Sequence, residues 1–309
     1  MIHTLHYALH EVEEYINWIY FFHAWDFPPR FASIARLHGC DACRAGWLAG
    51  FPEEERPKAE AAMQLFKEAR RILRSLDKDF NTHARFGLFE AVAEGDDLEI
   101  FIEKNGTKHT ERLPLLRQQR TTQPDNPLLC LTDFVRPASQ GIPDTIGIFA
   151  VTVDEEMEHL YENGTYADGY RHLLAQTLAD RLAEATAEKM HEAVRRSYWG
   201  YAPDERLTPE DLFVERFQGI RPAVGYPSLP DQSLNFDLDR LLDFGSIGIR
   251  LTENGAMQPH ASVSGLMLAH PAARYFAVGT IGNDQLADYA RRKGLSPERA
   301  RQYLAANLT

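Results

Sequence analysis

Apolar positions recur along this chain at two different periods, and the periods divide it into helices and strands. Over residues 57–76, Ala59, Met63, Phe66, Leu73 and Leu76 return at near-helical spacing, which predicts an amphipathic helix. The longest helical segment is expected over 168–196. There Leu174, Leu178 and Leu182 form one stripe, and Ala183, Ala185 and Ala187 raise the propensity. Asp180 and Glu184 lie four apart in it, so both carboxylates project from one face. Thr208-Pro209-Glu210-Asp211 and Ser296-Pro297-Glu298 each set a capping residue before a proline, the mark of a helix start. Gly294 is placed to close the preceding helix, and the chain is expected to end helical.

Other stretches read as strands. Leu128–Val135 and Thr145–Val153 are apolar and β-branched enough to be buried strands. Residues 85–102 predict two short strands around Glu94-Gly95-Asp96-Asp97, and 246–280 alternates strand-like runs with turns such as Glu253-Asn254-Gly255. Residues 4–25 predict a short helix and then an aromatic-rich turn ending at Pro28-Pro29, packed in the core rather than serving as a ligand platform. No repeat, low-complexity segment or Gly/Ser-rich linker interrupts the chain. The order lacks a βαβ rhythm, so the expected class is α+β. One domain is expected over 1–309, mainly helical over 1–84 and α+β over 85–309.

Composition narrows the function. A chain of 309 residues is long enough for a sizeable core. A formal net charge of −12 argues against nucleic acid and anionic membrane surfaces as partners. No run approaches the roughly 18 apolar residues of a membrane span, and the first residues do not read as a signal peptide. Three cysteines suggest a reducing compartment, hence the cytoplasm. Two of them stand in His38-Gly39-Cys40-Asp41-Ala42-Cys43. A C-x-x-C can hold zinc or cycle as a dithiol, but zinc normally takes four ligands. Cys130 is distant in sequence and His38 makes only a third ligand. The pair is therefore read as structural or incidental, and no metal is expected.

The stretch with most chemical content is Arg221-Pro222-Ala223-Val224-Gly225-Tyr226-Pro227. Two prolines fix φ and remove donors, while Gly225 permits conformations that a Cβ would block. Composition allows either a plain surface turn or a stiffened loop presenting a guanidinium and a phenol.

This run, with the preceding Gln218-Gly219-Ile220, resembles the R-P-A-x-G-Y-P signature of the activation domain of cobalamin-dependent methionine synthase. The resemblance extends to Leu131-Thr132-Asp133-Phe134-Val135-Arg136-Pro137, Ile146-Gly147-Ile148-Phe149-Ala150-Val151-Thr152 and Ala179-Asp180-Arg181-Leu182-Ala183-Glu184. It continues through Tyr198-Trp199-Gly200-Tyr201, Ala261-Ser262-Val263-Ser264-Gly265 and Asp288-Tyr289-Ala290-Arg291-Arg292-Lys293-Gly294. These blocks keep the family order over nearly the whole chain.

The resemblance implies a twisted, mainly antiparallel sheet curved into a C-shape with helices around it. It implies binding of S-adenosylmethionine (AdoMet) by Asp133, Glu184, Arg221, Ala223, Tyr226, Tyr275 and Phe276. Tyr275 is expected on a strand over Arg274–Val278. A guanidinium suits the ligand's carboxylate, acids balance its ammonium and sulfonium, and aromatic faces suit the rest. Two residues with a role toward the chemistry follow the same resemblance: Tyr226, which would face cobalamin, and Asp180. Each residue alone has a plainer reading, Glu184 on a solvated helix face, Asp133 capping a turn, Tyr275 packing in a sheet. Departures from the family pattern are His260 in place of a glycine and Ser228-Leu229-Pro230 in place of an Ala-Cys-Pro-like run.

None of the twelve histidines sits in the D-x-H-x-x-G motif that binds cobalamin, and no cysteine set suits the zinc that activates homocysteine. The expectation is therefore a free-standing activation domain, a methyltransferase component of a split methionine synthase. It would supply the methyl of AdoMet for reductive methylation of cob(II)alamin on a separate chain, with an electron from a flavodoxin-like reductant. It would be inactive alone, and would serve methionine biosynthesis. The alternative is an AdoMet-binding sensor or interaction module without methyl transfer.

Overall fold

A computed structural model of the chain describes all residues except 39, 105, 121–126, 164–166 and 309. Its organising element is β2 (Asn81–Glu94), which pairs along both edges. One edge carries β5 (Asp144–Val153), in register from Thr82 opposite Val153 to Ala91 opposite Asp144. The other edge is shared in succession by β1 (Ile2–Ala8) and β3 (Asp97–Lys104). β4 (Thr107–Pro114) extends the sheet beyond β3. Beyond a small ladder of β6 (Arg250–Leu251) and β7 (Met257–Gln258), β8 (Ser262–Met267) completes the open main sheet on the far side of β5. Every ladder is antiparallel, and the class is α+β as expected.

The period-two alternation of β5 explains why the sheet is covered on both faces. Phe149, Val151 and Val153 point into one core with Phe86 of β2 and Met267 of β8. Ile146, Ile148 and Ala150 point into the other with Ala91 and Leu266. On the first face lie α1 (Leu9–Val12), α2 (Trp18–Ala24), α4 (Arg56–Leu76) and α5 (Gly169–Ala193). Beside them stand the short α3 (Asp41–Ala49) and α6 (Pro209–Phe213). α7 (Leu234–Leu242) covers the second face. α8 (Asn283–Lys293) and α9 (Pro297–Tyr303) close a third, smaller cluster, with Gly294 at φ +71° ending α8.

Several sequence expectations are corrected. Leu128–Val135 is not a strand: Leu131–Phe134 forms a 3₁₀ turn, and its backbone is satisfied locally instead of by a ladder. Burial of Leu129, Leu131 and Phe134 gives the same apolar run that a core strand would. Residues 4–25 open on β1 before any helix. The division at 84/85 falls inside β2, whose first residues pair with β1. Arg274–Val278 makes no ladder, and its Val278 amide donates instead to the Pro227 carbonyl (2.8 Å).

Candidate functional site

The R-P-A segment is laid along the open edge of β8. Ile220 exchanges backbone bonds with Leu268 (2.9 Å each way), Leu266 N–H donates to Pro222 O (3.0 Å), and Val224 N–H to Ser264 O (2.9 Å). Pro222 fits here because only its carbonyl is needed for pairing. The chain then doubles back through Gly225 at φ +86°, where the Leu229 carbonyl accepts the Gly225 amide (2.8 Å). That reversal sets Tyr226 at the tip, its side chain about half exposed.

Two polar contacts hold the Tyr275-Phe276 segment against this loop. The Tyr275 hydroxyl accepts from the Arg221 amide (3.0 Å). Ser228 accepts from the Phe276 amide (3.1 Å) and donates back to the Phe276 carbonyl. The serine that departs from the family run thus clamps one wall.

Between this loop and α5 opens a cleft of about 670 Å³. Its floor is Phe149 of β5 and Val263 of β8. One wall is Arg181, Glu184 and Glu188 of α5, spaced so that they share a helix face. The opposite wall is Arg221, Ala223, Tyr226, Tyr275 and Phe276, and Glu215 lies at the rim.

Arg221 is mostly buried, and its two Nη atoms grip Glu188 end-on, Nη1 at 2.9 Å. Nη1 also faces His191 Nδ1 at 3.4 Å. The Nε–Nη2 side of the guanidinium has no further protein acceptor among the described residues, so a planar two-donor edge remains. Behind it, the fully buried Arg195 is held bidentate by Glu205 and donates to His191 Nδ1 (2.9 Å). Burial, then the two guanidinium charges, push the His191 pKa well below its usual value. The ring is therefore neutral, with Nδ1 as acceptor and its proton on Nε2. Burial raises the pKa of Glu184, partly offset by Arg181 at 3.0 Å, and burial likewise raises that of Glu215. Three glutamates against two arginines leave the cleft with an excess of acid.

Residues 8–294 match the family described as vitamin B12-dependent methionine synthase, activation domain. The chain belongs to that family. A solved structure, the MetH reactivation domain bound to AdoHcy, is similar over the whole of this chain and 90% of its own, at 38% identity and TM-score 0.84.

In this activation domain six of the residues singled out by sequence meet in one cleft: Glu184, Arg221, Ala223, Tyr226, Tyr275 and Phe276. Asp133 does not line it. Its carboxylate takes two bonds from Arg117 (2.7 Å each) and one from the Cys130 amide (2.8 Å). Burial works against that charge, and these bonds overcome it, so its pKa is lowered. Asp180 also lies off the lining, one turn before Glu184, with His260 Nδ1 at 3.6 Å. The sequence reading missed Glu188, the partner of Arg221. Extending the Asp180–Glu184 spacing by one more turn would have reached it. Cys40 and Cys43 form a disulfide at the start of α3, with Cys40 as its N-cap, contrary to the reduced thiols that the sequence reading of a reducing compartment implies; Gly39 of that motif lies outside the described residues. Among the described residues no group of three or more His, Cys, Asp or Glu is placed to hold a metal ion, and no helix is long and apolar enough to cross a membrane.

Proposed function

We propose that this activation domain binds AdoMet in the cleft and gives up its methyl group to cobalamin carried on another polypeptide in the cytoplasm. The observation that carries this reading is the two-donor Nε–Nη2 edge of Arg221 on a cleft wall facing glutamates. A carboxylate takes such an edge bidentately, while Glu188 holds the guanidinium from its other side. Glu184 is the acid for the α-ammonium. The acid excess suits a ligand with two positive charges and one negative. Tyr275, Phe276 and Phe149 supply apolar faces for the nucleoside, and the volume is within the usual range for a ligand of this size.

Asp133 stays in the proposal as a second acid for the ligand's positive charges, reached only if its bonds to Arg117 rearrange. Asp180 and the exposed Tyr226 are assigned to the docked state, where Tyr226 would face cobalamin. On the partner chain, cob(II)alamin taken to cob(I)alamin by one electron from a flavodoxin-like reductant would supply the nucleophile for the AdoMet methyl, and the electrons of the broken sulfonium–carbon bond would leave with S-adenosylhomocysteine. This chain supplies no nucleophile or general base. It orients the sulfonium and excludes water.

The test is calorimetry of the purified protein with AdoMet. One site per chain is expected, and Arg221→Ala should weaken it by roughly 2–4 kcal/mol, as for a charged hydrogen bond removed from a desolvated centre. Absence of binding, or a variant equal to wild type, removes the assignment.

A further inference from the structure

A second cavity, of about 480 Å³, opens where α3 and α4 meet the 3₁₀ turn Pro29–Arg36 and the residues after it. It shares no lining residue with the AdoMet cleft. Its ionisable lining is of one sign: Arg44, Lys67, Arg70, Arg71 and Arg74, with His38 beside them and no carboxylate. This occurs in a chain whose formal net charge is −12. Lys67, Arg70, Arg71 and Arg74 stand at i, i+3, i+4 and i+7 of α4, one face over two turns. On an ordinary solvated helix such a row is interspersed with acids, because like charges at this spacing repel.

The repulsion is only partly relieved. Arg44 pairs with Asp41 at 3.2 Å and Arg70 with Glu13 at 2.8 Å. Among the described residues Lys67, Arg71 and Arg74 make no ion pair. The cavity's apolar lining is Ile34, Leu37, Met63 and Phe66. A single carboxylate would balance only one of the three uncommitted cations. A di- or triphosphate concentrates enough charge in a compact group to balance all three, and presents oxygens that match guanidinium forks.

We propose that this cavity binds a small polyphosphate-bearing molecule, its phosphates taken by Lys67, Arg71 and Arg74. The experiment is calorimetry of the whole chain with inorganic tripolyphosphate, ATP and citrate at about 0.1 M salt, where surface attraction is largely screened. Tripolyphosphate should bind at one site per chain. The double variant Arg71→Gln/Arg74→Gln alters two exposed side chains and should weaken it at least about tenfold, because it removes two charge-assisted hydrogen-bond donors to phosphate. The same variant should leave AdoMet binding unchanged, and Arg291→Gln, an exposed arginine on α8, should leave tripolyphosphate binding unchanged. ATP binding more tightly than tripolyphosphate supports an organic phosphate seated on the apolar lining, and equal affinity supports the bare phosphate group. Citrate binding as tightly as tripolyphosphate overturns the phosphate assignment. No binding of any probe, or equal weakening in the double variant and Arg291→Gln, overturns the site.

Discussion

Gly265 of β8 lies so close beneath Pro222 that a Cβ built on it would collide with the Pro222 carbonyl oxygen and stand 2.9 Å from the Ala223 Cα. The absent side chain is what allows the R-P-A segment to hydrogen-bond along the sheet edge. Gly265→Ala should therefore push this backbone outward, since neither neighbour is the end of a flexible side chain. The expected cost is about 1–3 kcal/mol of stability, the usual penalty for overpacking. AdoMet affinity should fall with it, because Arg221 and Ala223 move together. Urea unfolding and calorimetry on the same variant check both. Unchanged values would mean that the loop does not depend on the close approach.

The protonation of Glu184 gives a pH dependence with a definite sign. Burial raises its pKa above the usual 4.5; Arg181 and Arg221 pull it back, while Asp180 and Glu188 add to the rise. A folded pKa above the unfolded one favours folding most below the unfolded value, and that contribution is lost as pH rises through the folded pKa. Ligand binding runs the other way, because a cationic ligand needs the carboxylate. AdoMet affinity should thus decline as pH falls from 7, starting above the range of an ordinary glutamate. The decline should be about tenfold, one charge-assisted contact at a partly exposed site. Glu184→Gln should bind weakly at pH 7 and show a flatter profile. If the variant keeps the wild-type slope, another group governs it.

The disulfide of Cys40 and Cys43 stands at the N terminus of α3, and neither residue lines the cleft between α5 and the R-P-A segment. The double change Cys40→Ser/Cys43→Ser should keep AdoMet affinity within a factor of a few. Metal analysis of the wild-type protein checks the sequence reading of this motif. Stoichiometric zinc, lost in the variant, would contradict it.

The parts of this fold that were legible in the sequence are those where one period dominates. α4 and α5 carry unbroken apolar stripes, and β5 is buried on both faces, so each was readable from spacing alone. Leu128–Val135 carries the apolar pattern of a core strand through burial alone, without strand pairing. There Asp133 and turn bonds satisfy the backbone, and nothing in the apolar pattern distinguishes that from a ladder. β4 was missed because Thr107-Lys108-His109-Thr110-Glu111 is exposed and shows no apolar alternation. In the site, motif residues were legible one by one, whereas the pairing of Arg221 with Glu188 and the Ser228 clamp on Phe276 join residues 33 and 48 positions apart. Such contacts exist only once the chain is folded.

Tyr226 offers the sharpest separation of methyl transfer from simple binding. The residue lines the cleft and is 55% exposed, and its hydroxyl makes no hydrogen bond among the described residues, so the hydroxyl is not needed to build the walls. Tyr226→Phe should therefore leave AdoMet affinity close to wild type. Mixed with a cobalamin-bearing methionine synthase chain, AdoMet and a reductant, the wild-type protein should convert cob(II)alamin to methylcobalamin. Without a covalent tether the rate should rise with the concentration of this chain and saturate. The phenylalanine variant should change that rate while binding AdoMet normally. The measurement is the visible spectrum of the cobalamin against time. Conversion that proceeds equally well without this protein, or never proceeds with it, would leave AdoMet binding as its role and favour a sensor over a methyl donor.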